Sequence, residues 1–141
     1  MTEEEYIKER LDDQIKWYSK KATKNKSLNN WFKAFIIILS ATIPFVVGTE
    51  FDETLRNIIL SAMGVIITIL SGLSGLLKFQ EKWTEYRTTS ETLKHEKYLF
   101  QAKAIPYSDE KEPYKLLVTR IEYIISKEHS MWGQYINHKN K

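Results

Sequence analysis

From Ile58 to Leu77 the chain runs 20 residues without an ionisable side chain. At about 1.5 Å rise per residue this makes roughly 30 Å of helix, the thickness of a bilayer's hydrocarbon core. Core helices of soluble proteins are seldom this long and this free of charge on every face. The run therefore predicts a membrane-spanning helix over 57–77. Stepping about 100° per residue from Gly64 places Asn57, Ser61, Gly64, Thr68, Ser71, Gly75, Lys78 and Lys82 within about 60° of one line. Leu60 and Ile67 are the large apolar residues that intrude on this sector, and the opposite side is entirely aliphatic. Small and hydroxylic residues along one face suit close helix packing in lipid. They equally suit the lining of a water-filled path, and the two readings are compatible.

One such helix would only be an anchor, but a second apolar run precedes it. WFKAFIIILSATIPFVVGT, residues 31–49, has an uncharged part of 16 residues, Ala34 to Thr49. Trp31 can sit at the interface and Lys33 can snorkel outward, which extends the reach of this span. Pro44 removes a backbone donor and should kink or loosen the helix. Ser40, Ala41, Pro44 and Gly48 share a sector and offer a small face to the second span. The connection 50–56 is short and acidic, so the spans form an antiparallel hairpin. Lys16, Lys20, Lys21, Lys24, Lys26 and Lys33 precede the first span, and Lys78, Lys82 and Arg87 follow the second. The positive-inside rule then predicts both termini in the cytoplasm and the acidic loop outside, as a two-pass protein of the cell's inner membrane. A cleaved signal peptide is not expected, because a long mixed-charge segment precedes the first run.

The remainder predicts helices. Residues 1–26 read as an amphipathic cytoplasmic helix, with Tyr6, Leu11, Ile15 and Tyr18 on one side and acids in the first turn, where the helix dipole favours them. The run KKATKNK should lie beside anionic headgroups. Phe79, Trp83, Tyr86, Leu93 and Phe100 keep an apolar seam through 78–104, so the second span is expected to continue as a rigid cytoplasmic rod, with a bend near Lys78 as the alternative. Residues 105–113 break it. Pro113 suits a first helical turn, and 114–136 form a last amphipathic helix marked by Leu117, Ile121, Ile124 and Met131. The fold class is thus an all-α membrane protein of a single domain: a two-span transmembrane helical hairpin with N- and C-terminal cytoplasmic amphipathic helices. A mean hydropathy of −0.40 conceals this, because apolar residues cluster in two runs and charges lie elsewhere.

The chemistry of known catalytic sites is missing from the pattern. There is no cysteine, and His95, His129 and His138 form no spaced ligand set, so no metal, cofactor or enzyme activity is expected. His95 and Glu96 lie on a helical face expected to be solvated, and Arg87 with Glu91 is expected to form an i,i+4 pair. A net charge of +3 is too modest to argue for nucleic acid.

The string Trp83 to Tyr98, WTEYRTTSETLKHEKY, follows the two spans with Trp83, Tyr86, Arg87, Glu91, Leu93, Lys94 and Glu96 in the order W-x-x-Y-R-x-x-x-E-x-L-K-x-E. In this the chain resembles the bacterial SLATT proteins, two-transmembrane effectors that include domain-of-unknown-function family 4231. QIKWYSKKA, from Gln14, and IEYIISKEHSMW, ending at Trp132, resemble the family's flanking helices. The resemblance implies a pore-forming or membrane-perturbing effector of bacterial defence, often working with nucleotide-sensing partners. No sensor or nucleotide-synthesising segment is evident in this sequence, so the stimulus is expected from a cytoplasmic protein, the lipid bilayer or the short cytoplasmic helices.

Two functions follow as expectations. In the first, the protein is a homo-oligomer, since two helices cannot enclose a water column, and it forms a pore or ion channel. Its axis is lined by Asn57, Ser61, Gly64, Thr68, Ser71 and Gly75, with Lys78 and Lys82 at the inner mouth. In the second, it is a non-conducting membrane scaffold whose stripe packs inward and whose cytoplasmic hairpin docks a soluble partner.

Overall fold

The computed structural model describes the backbone of residues 1–139 and the side chains of residues 1–129. Met131, Trp132 and His138 lie outside the described side chains. The chain is all-helical, with no strand among the described residues. A first turn, α1 (Glu3–Glu5), leads through a π-helical stretch, Tyr6–Leu11, into α2 (Asp12–Val47). Then follow α3 (Glu53–Leu77), α4 (Phe79–Gln101), a 3₁₀ turn at Tyr107–Asp109 and α5 (Pro113–Lys139). The segments Glu3–Val47 and Glu53–Gln101 each contain a helix long and apolar enough to cross a membrane.

Helix starts follow local chemistry. Thr2 caps α1 by accepting from the Glu5 amide at 3.3 Å, while the Glu5 carboxylate accepts from the Thr2 amide at 3.0 Å. This reciprocal box satisfies two amides that the first turn leaves without partners. Pro113 opens α5, at a position where its missing N–H costs nothing. The two segments expected at 1–26 and 31–49 are joined without interruption inside α2, because nothing between Lys26 and Trp31 breaks a helix. Pro44 falls within one turn of the C-terminal end of α2, and the connection to α3 is only Gly48–Asp52.

The chain divides into two compact units. The polar unit comprises Met1–Ala22 and Thr84–Lys141, and the apolar unit Thr23–Trp83. In the polar unit, Leu11, Tyr18, Leu93, Leu117 and Ile121 are fully buried among Tyr6, Ile15, Tyr107 and Ile125. Leu11 (just before α2), Ile15 and Tyr18, and Leu117, Ile121 and Ile125 on α5, recur at three- and four-residue steps, the spacing of one helical face. Each large side chain so buried contributes about 1.5–3 kcal/mol. Ser90, also fully buried, is the small residue in the α4 seam, and its hydroxyl donates to the Ile15 carbonyl at 3.4 Å.

The apolar unit is a helical hairpin. On α2 the less exposed row is Asn25, Asn29, Phe32, Ile36, Leu39, Ile43 and Val46, and on α3 it is Leu60, Met63, Ile67, Leu70 and Ser74. Phe32 and Phe79 stack with ring centroids 5.2 Å apart, and Lys33 Nζ donates to Gln80 Oε1 at 3.2 Å. These pairs set the antiparallel register at the end of the hairpin away from its loop.

Of the two courses open beyond residue 77, a continuous rod or a bend near Lys78, the chain takes the second. Lys78 adopts φ 50° and ψ 43°, the left-handed region, and separates α3 from α4. The cause lies in the seam. Its α3 row ends at Ser74 and its next deeply buried residue is Phe79. Five residues of straight helix would turn Phe79 about 140° away from that row. A left-handed residue costs roughly 1–2 kcal/mol when it carries a Cβ. Lys78→Gly is therefore expected to raise the thermal midpoint, gaining about 0.5–1 kcal/mol after glycine's own entropic cost. Lys78→Val is expected to lower it, and circular dichroism melts of the detergent-solubilised protein check both.

Candidate functional site

The sequence singled out a polar stripe, two lysines and an aromatic–arginine string, and the structure distributes them over both units. The stripe on α3 lies one position beyond the packed row Leu60, Met63, Ile67 and Leu70. It therefore flanks the hairpin contact and does not form it. Asn57, Ser61, Thr68, Ser71 and Gly75 are exposed, and Gly64 is half-buried. A Cβ placed on Gly64, Gly72 or Gly75 would meet nothing within 4 Å. Close approach within the chain thus does not account for these glycines. Thr68 Oγ1 donates back to the Gly64 carbonyl at 2.8 Å, which satisfies its proton inside the helix and leaves its lone pairs outward. The small face expected on the first span, Ser40, Ala41, Pro44 and Gly48, is likewise exposed and is not the face α2 gives to α3. The less exposed rows of both helices are instead mainly aliphatic.

Lys78 and Lys82 stand at the end of the hairpin away from the loop, both half-buried. Lys78 Nζ is 3.6 Å from Glu81. Trp83 lies under the Lys26 ammonium, 5.6 Å from the ring centroid. Its Nε1 is buried without a hydrogen-bond partner among the described residues.

The rest of the string belongs to the polar unit, where it packs. Tyr86 sits against the rings of Trp17 and Tyr18 at centroid distances of 5.8 and 6.1 Å. Leu93 is fully buried. Arg87 Nη1 donates to Ser19 Oγ at 3.4 Å, and Glu91 pairs with Lys94 at 3.4 Å, so the two side chains expected to pair with each other turn apart. Arg87 faces the α2 segment while Glu91 faces solvent.

Glu96, expected on a solvated face, is buried at 4% exposure. It lies three residues after Leu93 and so shares its seam. Arg120 grips its carboxylate with both Nε and Nη2, at 2.9 and 2.6 Å, and Tyr107 Oη donates at 2.6 Å. Burial alone would raise the Glu96 carboxyl, but the Arg120 and Tyr107 bonds outweigh it and hold it below the ordinary value of 4.5. Burial and the same carboxylate push the Tyr107 phenol upward. A second clamp joins the chain's ends: Glu122 accepts from Arg10 at 3.1 Å through each oxygen and from Tyr6 Oη at 3.0 Å. Lys97 reaches Asp12 at 2.6 Å. These partners lie 24, 112 and 85 residues apart, so no local spacing announces them. Their donors and acceptors pair with one another, which fastens the helices of the polar unit together. No group of three or more His, Cys, Asp or Glu among the described residues could hold a metal ion.

The family model described as Protein of unknown function (DUF4231) matches residues 13–115. The chain belongs to that family. The DUF4231 match takes in both apolar helices, the stripe and the string with Glu96, and ends shortly after α5 begins. It leaves Arg120 and Glu122, which complete the two clamps, outside the matched stretch. No curated protein and no solved structure matches the chain.

Proposed function

We propose that this DUF4231 protein is an oligomeric integral membrane protein that conducts ions, with the α3 stripe of several copies facing a common axis. One observation carries the reading: an otherwise apolar, membrane-length helix leaves Asn57, Ser61, Thr68 and Ser71 exposed beside the hairpin contact. In lipid, polar side chains and open glycines find partners in neighbouring helices or in water, since hydrocarbon offers none. Two helices enclose no lumen, so copies must assemble, most simply with cyclic symmetry. In this reading Lys78 and Lys82 mark the inner mouth, and both termini lie in the cytoplasm with the acidic loop outside the inner membrane. The polar unit receives the stimulus from a soluble partner. The resemblance to SLATT effectors of bacterial defence agrees with this assignment, which calls for no catalysis, cofactor or nucleic acid.

The test is ion flux from vesicles containing the purified protein. Thr68→Leu keeps the helix and fills the stripe at its middle, and is expected to cut conductance at least tenfold. Unchanged currents in a folded, assembled variant would remove the stripe from the conducting path. The second reading, a non-conducting scaffold, draws on the Thr68 proton being satisfied within its own helix. A purified oligomer that passes no ions under any stimulus would favour it.

A further inference from the structure

We propose that the end of the apolar unit away from its loop binds anionic phospholipid headgroups, an inference that rests on the membrane reading above. Residues 14–49 contain six lysines and no acid, while the rest of the chain carries three more acids than bases. Within the apolar unit the charges are sorted by end. Lys24, Lys26, Lys33, Lys78 and Lys82 gather where the Phe32–Phe79 and Lys26–Trp83 contacts tie α2 to the start of α4. One acid, Glu81, accompanies them, and it lies against Lys78. Around the loop the order reverses, with Glu50, Asp52 and Glu53 against Arg56.

Among the described residues no acid lies within ion-pair distance of Lys24, Lys26, Lys33 or Lys82. Two of these heads are held in place, Lys26 over the Trp83 ring and Lys33 at Gln80. A gathering of like charges raises the free energy of the fold unless an anion answers it. Lipid is the anion that fits, because the lysines adjoin an exposed apolar surface. Trp31 is 64% exposed, its ring 5.9 Å from that of the exposed Phe35, and Ile37 and Ile38 follow, also exposed. A phosphate on a soluble molecule would satisfy the lysines and leave this surface in water. A phospholipid covers both, with its phosphate at the depth where tryptophan prefers to sit.

The experiment uses the full chain in vesicles and reads quenching of its four tryptophans by brominated lipids. Brominated phosphatidylglycerol is expected to displace phosphatidylcholine from the protein several-fold more readily than the reverse. Lys24→Gln with Lys82→Gln, which leaves the held lysines alone, is expected to bring that preference close to one. Lys16→Gln, a lysine of the polar unit, is expected to change it less than twofold. Equal quenching by both lipids overturns the proposal and leaves the membrane reading standing. No quenching by brominated phosphatidylcholine overturns both. Inorganic phosphate that abolishes the preference where chloride of equal ionic strength does not would assign the lysines to a free phosphate. An oligonucleotide whose binding Lys16→Gln weakens as much as Lys24→Gln would assign them to nucleic acid, and either result overturns the lipid.

Discussion

Arg120→Ala is expected to destabilise the polar unit by about 2–4 kcal/mol, more than Glu96→Leu. The asymmetry follows from exposure. The Glu96 side chain is 5% exposed and that of Arg120 44%. Removing the arginine strands a buried carboxylate with Tyr107 as its remaining partner. Removing the glutamate frees a guanidinium that already reaches water, and its exposure places its own loss at the low end. For a helical unit of this size the arginine variant should melt roughly 10 °C or more below the parent. The effect depends on pH with a definite sign. Glu96 and Glu122 both titrate below the ordinary 4.5 in the folded state, so their contribution is complete above that value. It is lost as pH falls through their lowered values, and the gap between parent and variant is expected to narrow in acid. A gap unchanged from neutral pH down to strong acid would show that the pair is not what Arg120 supports.

Leu93→Ala is expected to cost about 2–5 kcal/mol, the range for a leucine deleted from a closed core. Leu93 is fully buried in a cluster with Leu11, Tyr18, Leu117 and Ile121, so the vacated volume is walled by residues of several helices and collapses poorly. Tyr98, five residues on and 61% exposed, serves as the control. Its alanine variant should stay within about 0.5 kcal/mol of the parent. Denaturant titration of the full chain, followed by the near-ultraviolet signal of the packed aromatics, measures both. Similar losses at the two positions would mean that burial at Leu93 does not hold the unit together. The outcome also bears on the string from Trp83 to Glu96, in which Tyr86, Leu93 and Glu96 are engaged in packing.

Much of the architecture was legible in residue order, because the relevant periodicities are local. The charge-free run 58–77 announced a membrane-length helix, and the apolar faces holding Leu11, Ile15, Tyr18, Leu93, Leu117 and Ile121 announced the core of the polar unit. Pro113 marked the start of α5. What misled was chemistry judged one helix at a time. Glu96 sits among charges and was expected in water, yet its place on the Leu93 seam takes it into the core. Arg87 and Glu91 have the right spacing to pair, but a neighbouring helix offers Ser19 to the arginine.

Residue order alone thus determined that the chain is helical, where two membrane-length helices lie, and how charge is sorted along them, because those properties depend on neighbours within a turn or two. Tertiary structure alone decided which face of α3 meets α2, why Lys78 must bend left-handed, and which acids are fastened by arginines. Each of those outcomes depends on the phase between two helices, a relation that a single helix does not carry and that only their packing against each other defines.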